Sequence, residues 1–298
     1  MTGLGNLIKR NSKLFFKDKG MFFTSLITPI ILLVLYATFL AKVYRDSFAS
    51  AIPEYFTVPD KLIDATVGGE LISSLLAVCC VTVAFCSNML MVQDKVNGAR
   101  RDLTITPVRK STLALGYYIA TAMSTLIICF IAAGAGFIYL ANIGWYLTLQ
   151  DVLGILLDIF LLVMFGTALS SIINFFLTTQ GQISAVGTII SAGYGFLCGA
   201  YMPIASFGEG LQRVISFLPG TYGTSLLRNH ALGGVYEEMA DLGFPSEVIE
   251  GIKDGIDCNL YFFGDKVELG TMYIILGGAV VALVGVYVLL NVLFKKNK

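Results

Sequence analysis

Charge is scarce in this chain. Asp, Glu, Lys and Arg make up 13% of its 298 residues, about half the share carried by a soluble domain. Histidine is nearly absent, and the single His230 cannot assemble a metal site by itself. In this sequence it reads as a solvated surface histidine. No C-x-x-C occurs among the six cysteines, and neither metal-ligand spacing nor a disulfide framework is implied. H-E-x-x-H is missing, which argues against an intramembrane metalloprotease. G-x-x-x-x-G-K-[ST] is missing too, so the chain lacks the usual loop for cradling nucleotide phosphates. Basic residues sit at the edges of apolar runs rather than in a patch on a folded domain, so nothing suggests nucleic-acid binding.

What is present is apolar length. Residues 21–41, 71–92 and 269–294 contain no charged residue, and residues 111–150 form a further uncharged run. With the apolar stretch 152–202, these runs supply six segments of about 20 residues, the length a helix needs to cross the hydrocarbon layer. Inside lipid every backbone group must be paired within its own segment, which leaves helices as the natural form. The expectation is an all-α, polytopic membrane protein with six transmembrane helices. About half of the chain would lie in lipid, leaving too little for a separate soluble domain, so residues 1–298 form one transmembrane domain. Residues 21–41 lead into Lys42 without a small-x-small cleavage pattern, so they read as a retained span. Five cysteines fall within spans as small packing residues, and Cys258 stands in the last large loop.

The charges that remain are unevenly placed. Lys9, Arg10, Lys13, Lys17 and Lys19 precede the first span. Lys95, Arg100, Arg101, Arg109 and Lys110 lie between spans two and three, and Lys295, Lys296 and Lys298 end the chain. Six crossings put these three basic regions on one side. The opposite side holds residues 203–268, with ten acids against Arg213, Arg228, Lys253 and Lys266. Loops that keep Lys and Arg are cytoplasmic, so both termini are expected inside a plasma-membrane protein.

Residues 3–19 read as an interfacial amphipathic helix. Leu4, Leu7, Ile8, Leu14 and Phe15 share one face at 100° per residue, and Lys9, Arg10, Lys13 and Lys17 share the other. Pro29 should kink the first span or mark a packing contact. Residues 42–69, with Pro53 and Pro59 around Tyr55 and Phe56, read as an irregular outer connector. Residues 93–110 form a patterned inner loop, with a short helix that Thr106 and Pro107 should stop. After span five, residues 203–268 are expected to hold re-entrant outer helices broken at Pro203 and at Pro219-Gly220. The second of these would be a short segment, 221–228, followed by a small cap helix that carries Val248, Ile249, Ile252 and Ile256.

Asp158 is the carboxylate set deepest in an apolar span, about 10 Å along the helix from Asp151. Intramembrane acids usually face protein or water, and Asp158 would either bind a cationic substrate or reach the outer headgroups. No ladder of buried ionisable residues is visible for a proton or sodium relay, and no inverted repeat. Both omissions weigh against an ATP-independent secondary transporter, the principal alternative.

Three features together resemble the type-2 ABC exporter permease family. The first is the element order: a basic interfacial helix, six spans, and a broken region between spans five and six. The second is the loop with Gly98, Leu103, Thr106-Pro107-Val108 and Leu113, similar to the family's G-T-x-x-x-L-x-x-T-P-V stretch, although Ala99 replaces its threonine and Asp94 stands for an upstream Glu. The third is Phe217-Leu-Pro219-Gly-Thr-Tyr222 with Arg228, similar to the family's proline–tyrosine–arginine segment. The resemblance implies a permease subunit without its own ATPase, paired with a second copy or a sister chain. A separate ATP-binding subunit would carry ATP and Mg, and the machine would move amphipathic small molecules, lipids or peptides outward. Under it, Lys9, Arg10, Lys13, Asp94, Lys95, Gly98, Arg100, Arg101, Asp102, Thr106 and Pro107 receive motion from that subunit, or, in the plainer reading, anchor to anionic lipid. Pro203, Pro219, Gly220, Tyr222 and Arg228 would shape an outer gate, with Asp158 in the path.

Overall fold

A computed structural model describes residues 2–51, 58–105 and 108–293. Pro53, Tyr55, Phe56, Thr106, Pro107 and the terminal lysines lie outside the described residues. The chain opens with α1 (Thr2–Lys17), and Asp18 caps α2 (Lys19–Leu35) by accepting from the Met21 amide at 3.0 Å. Pro29 is buried inside α2. A π-helical turn, Tyr36–Leu40, joins α2 to α3 (Ala41–Ala51), so helix continues where an irregular connector was expected. Arg45 on α3 stabilises this extension by pairing with Asp60 at 2.6 Å and with Asp64. Both acids lie on α4 (Asp60–Asn88), and α5 (Leu90–Val96) continues its course.

The inner connection contains α6 (Ala99–Ile105), after which α7 runs over Lys110–Ile143 and α8 over Leu149–Phe176. Thr148 and Asp151 form a reciprocal capping box at the start of α8, and Thr179 and Gln182 form another at the start of α9 (Gln180–Leu197). Each box satisfies amides that a helix start leaves open. Among the described residues, five helical stretches are long and apolar enough to cross a membrane. The expected fifth span, α9, falls short of that apolarity because Gln180 and Gln182 open it. Its 18 residues still reach about 27 Å.

A 3-10 turn (Ile204–Ser206) and α10 (Glu209–Ile215) lead to α11 (Pro219–Asp241). The short re-entrant segment expected at 221–228 is therefore a 23-residue helix. Pro219 starts α11 at its first position, where a missing N–H does no harm. The helix runs on past Arg228 and through Gly233-Gly234. Gly234 lies directly against the Tyr146 carbonyl, leaving no room for a Cβ. The glycine pair serves close approach, not termination. Beyond it stand α12 (Ser246–Gly255), a hairpin β1 (Leu260–Phe262) and β2 (Asp265–Val267), and α13 (Leu269–Leu293). The hairpin, paired as Leu260 with Val267, has no counterpart in the reading of the sequence.

α4 is the axis of the fold. Of its most apolar window, 89% is buried, against 22% for the α2 span and 17% for α13. α7, α8, α11 and α2 all pack on it. α11 is wedged between α4, α8 and α13, with Gly220 against the Phe165 ring and the Tyr194 hydroxyl. Phe165 stands roughly 24 Å along α8 from its start, so α11 reaches deep among the spans before turning back. All six cysteines are free and buried, including Cys258, whose thiol lies 3.2 Å from the Tyr236 hydroxyl.

Candidate functional site

Three places combine polar chemistry with space or exposure. The first is a groove of about 920 Å³ between α2 and α9, floored by the α4–α5 junction. Its walls are mainly apolar, including Ile27, Ile31, Phe39, Ile183 and Phe196, and are dotted with Thr24, Thr28, Ser184, Thr188 and Ser191. Gln93, Gln180 and Asp18 also contribute to the lining. Phe39 and Leu40 of the π turn line it as well, a placement common for such turns at functional sites. The volume suits a small-molecule site, and few polar groups on an apolar wall suit an amphipathic occupant.

The second place is the inner charged face. α1 packs against α7, burying Leu7 and Phe15. Two residues depart from the expected amphipathic pattern. Leu14 is exposed, and Arg10 turns away from the basic face to form a two-pronged pair with Asp94, at 2.7 and 3.0 Å. Asp94 also accepts the Tyr117 hydroxyl at 2.5 Å, and its hydrogen bond holds the Arg10 guanidinium more firmly protonated than usual. Lys95 donates to the carbonyls of Asn174, Phe175 and Leu177 at 2.7–2.9 Å. It thereby neutralises the negative end of α8. Arg10, Asp94 and Lys95 thus tie α1, α5, α7 and α8 together. Gly98, at φ +80°, makes the left-handed turn from α5 into α6, a conformation that glycine adopts without penalty. Arg100 is half-buried, while Lys9, Lys13, Arg101 and Asp102 are exposed. The expected coupling set therefore divides: one part locks helices, the other faces outward.

The third place is the outer end. Arg228 on α11 is buried and donates to Asp257 at 3.2 Å, to the Ser74 hydroxyl at 3.1 Å and to the Gly199 carbonyl. Asp257 also accepts from the Ile204 amide at 2.9 Å, and its burial pushes the carboxyl above its ordinary range while Arg228 pulls it back. Glu70 on α4 is buried nearby and bears electrostatically on Arg228. Pro203 introduces the 3-10 turn beside this cluster, and Tyr222 donates to the Ser216 carbonyl at 2.6 Å. Pro203, Pro219, Gly220, Tyr222 and Arg228 thus gather around the foot and flank of α11.

Asp158 lies in the same quarter but reaches neither headgroups nor the groove. It is fully buried, with His230 Nδ1 at 2.7 Å and the Tyr273 hydroxyl at 2.7 Å. His230 is consequently no solvated surface residue. Buried ionisable groups do occur, in separate clusters rather than a ladder: Asp94 at the inner face, Glu70, Arg228 and Asp257 at the outer end, and Asp158 beside half-buried His230. Sequence reasoning missed Glu70, Asp257, His230 and Tyr273. One signal was available: an arginine in a segment expected to re-enter the membrane calls for a buried acid partner.

The sequence profile of the ABC-2 type transporter family matches residues 2–231, from α1 into the middle of α11. No curated protein matches the chain.

Proposed function

The chain belongs to the ABC-2 type transporter family, a family of membrane permeases and not of ATPases, and on that premise we propose that it is the membrane half of an ATP-driven exporter. The groove between α2 and α9 carries this reading. One copy offers an apolar wall with scattered hydroxyls, and a second copy or a sister chain facing it would enclose a path across the bilayer. Such a path favours amphipathic cargo: small molecules, lipids or peptides moved outward. ATP and Mg belong on a separate ATP-binding subunit, docked where Lys9, Lys13, Arg101 and Asp102 are exposed, with half-buried Arg100 and the Gly98 turn beside them. The concentration of Lys and Arg on that face supports a cytoplasmic placement for it and for both termini in the plasma membrane.

Motion reaches the groove through the locked set. A push on α6 passes through the Gly98 turn into α5. From there Lys95 carries it to the end of α8, and Asp94 to α1 through Arg10. α5 continues α4, the floor of the groove, so a rigid shift of the inner face alters the groove directly. Thr188→Trp tests the reading by filling the groove from α9. ATP-dependent accumulation of a lipophilic dye in inverted vesicles should fall at least tenfold while the protein still folds. Unchanged uptake would remove the groove from the path. Copurification with an ATP-binding subunit separates this reading from an ATP-independent secondary transporter.

A further inference from the structure

The only histidine of the chain is bonded to Asp158, the least exposed carboxylate among the described residues, and three helices meet at that contact. Asp158 comes from α8, His230 from α11 and Tyr273 from α13. Both Asp158 oxygens are engaged, Oδ2 with His230 Nδ1 and Oδ1 with the Tyr273 hydroxyl. Room for the imidazole exists because position 154, one turn earlier on α8, is glycine. A Cβ on Gly154 would stand 2.5 Å from the His230 ring. The two partners differ in access, since Asp158 is sealed while the His230 side chain keeps 21% of its surface exposed.

We propose that Asp158 and His230 form a proton-binding site, entered through His230 from the outer side, whose occupancy latches α11 to α8 and α13. With the proton bound, imidazolium and carboxylate cancel, and Nδ1–H donates across the contact. When the proton leaves, the carboxylate keeps its charge in a sealed site with only a neutral imidazole and a phenol as partners, a condition that disfavours burial. The other groups facing His230 act in the same sense. From α8, Asp151 adds a second negative charge near the ring and touches α11 at Gly233. From α13 only the neutral Tyr273 arrives. The acid of α4, Glu70, faces Arg228. Among the described residues nothing cationic replaces the lost proton, so the latch holds at acid pH and loosens as pH rises.

The test uses the full chain in lipid nanodiscs, scanned from about pH 5 to about pH 9, a range that brackets ordinary histidine titration. Two readouts are taken: the thermal unfolding midpoint, and amide hydrogen exchange in the outer half of α11, corrected for intrinsic pH dependence. In the wild type, the midpoint should fall and the corrected exchange rise with pH, by up to about tenfold per unit, the limit for one proton. His230→Gln and Asp158→Asn should each flatten both profiles, whereas Tyr273→Phe should lower the midpoint and keep the slope. A wild-type exchange profile that is flat, or a His230→Gln profile that matches the wild type, overturns the proposal. Should Asp158→Asn fail to fold, the other two chains still decide. The site depends on the permease reading only for which side is outer, and flat profiles would leave the groove and its transport test untouched.

Discussion

The charged residues of the outer and inner candidate sites are satisfied differently. At the outer end, Arg228, Asp257 and Ser74 close on one another, and Asp158 closes on His230 and Tyr273, all within the chain. At the inner end only half of the charged set is closed. Arg10, Asp94 and Lys95 lock helices together, while Lys9, Lys13, Arg101 and Asp102 remain at the surface. A group satisfied internally holds the fold together, and a group left at the surface on a short helix between two spans is available to something else. The contrast teaches that charge count alone does not mark a docking face. Residue-by-residue closure does.

The largest effect is expected at buried Arg228. Arg228→Ala would leave Asp257 and Glu70 buried without their cation, and the loss should be about 3–5 kcal/mol. Thermal unfolding in detergent should show a collapsed midpoint or no folded protein. An unchanged midpoint would mean that the outer cluster is not closed in the way described. Next comes the inner lock. Arg10 keeps 32% of its side-chain surface exposed, so solvent screens its pair with Asp94. A double-mutant cycle of Arg10→Ala with Asp94→Asn should give a coupling of about 1 kcal/mol.

Smaller still is the surface clamp on α12. Glu250 accepts from Lys266 at 2.6 Å and from Lys253 at 3.1 Å, and these bonds bring its carboxyl down to about 2 from 4.5. Because the folded value is the lower one, the contribution is fully present above about pH 4.5 and disappears as pH falls towards 2. The pair is solvent-exposed, so Glu250→Gln should cost under about 1 kcal/mol at neutral pH and less in high salt. The smallest effect on stability belongs to Arg101→Glu, within about 0.5 kcal/mol. Its effect should appear instead in function: ATP hydrolysis by the assembled transporter continues while export stops. Normal export by this variant would assign Arg101 to lipid anchoring.

Much of the fold could be read from residue order because its causes are local. Uncharged runs set the spans, Thr148 and Thr179 announce helix starts, and the spacing of Leu7 and Phe15 gives the buried side of α1. The misread parts depend on contacts between distant segments. The segment expected to end at Arg228 continues to Asp241, and its Gly234 admits the Tyr146 carbonyl from another part of the chain. The continuation through Ala41–Ala51 comes with packing of Ala41 and Tyr44 against Val67 and Leu71, and with Arg45 meeting Asp60 and Asp64. Ser74 and Arg228 meet across 154 residues of chain, and periodicity within either segment says nothing about that meeting. Asp94, Arg10 and Lys95 were identifiable as important by type and place, but which carbonyl or guanidinium each would find was not.

The most direct test of the account is the side of the membrane on which α6 lies. All six native thiols are buried, so a single cysteine introduced by Arg101→Cys can be read with a membrane-impermeant maleimide over a low background. Labelling in inverted vesicles, and none in intact cells, is the predicted result. Labelling of intact cells from outside would contradict the account, because no ATP-binding subunit could then meet the exposed face of α6.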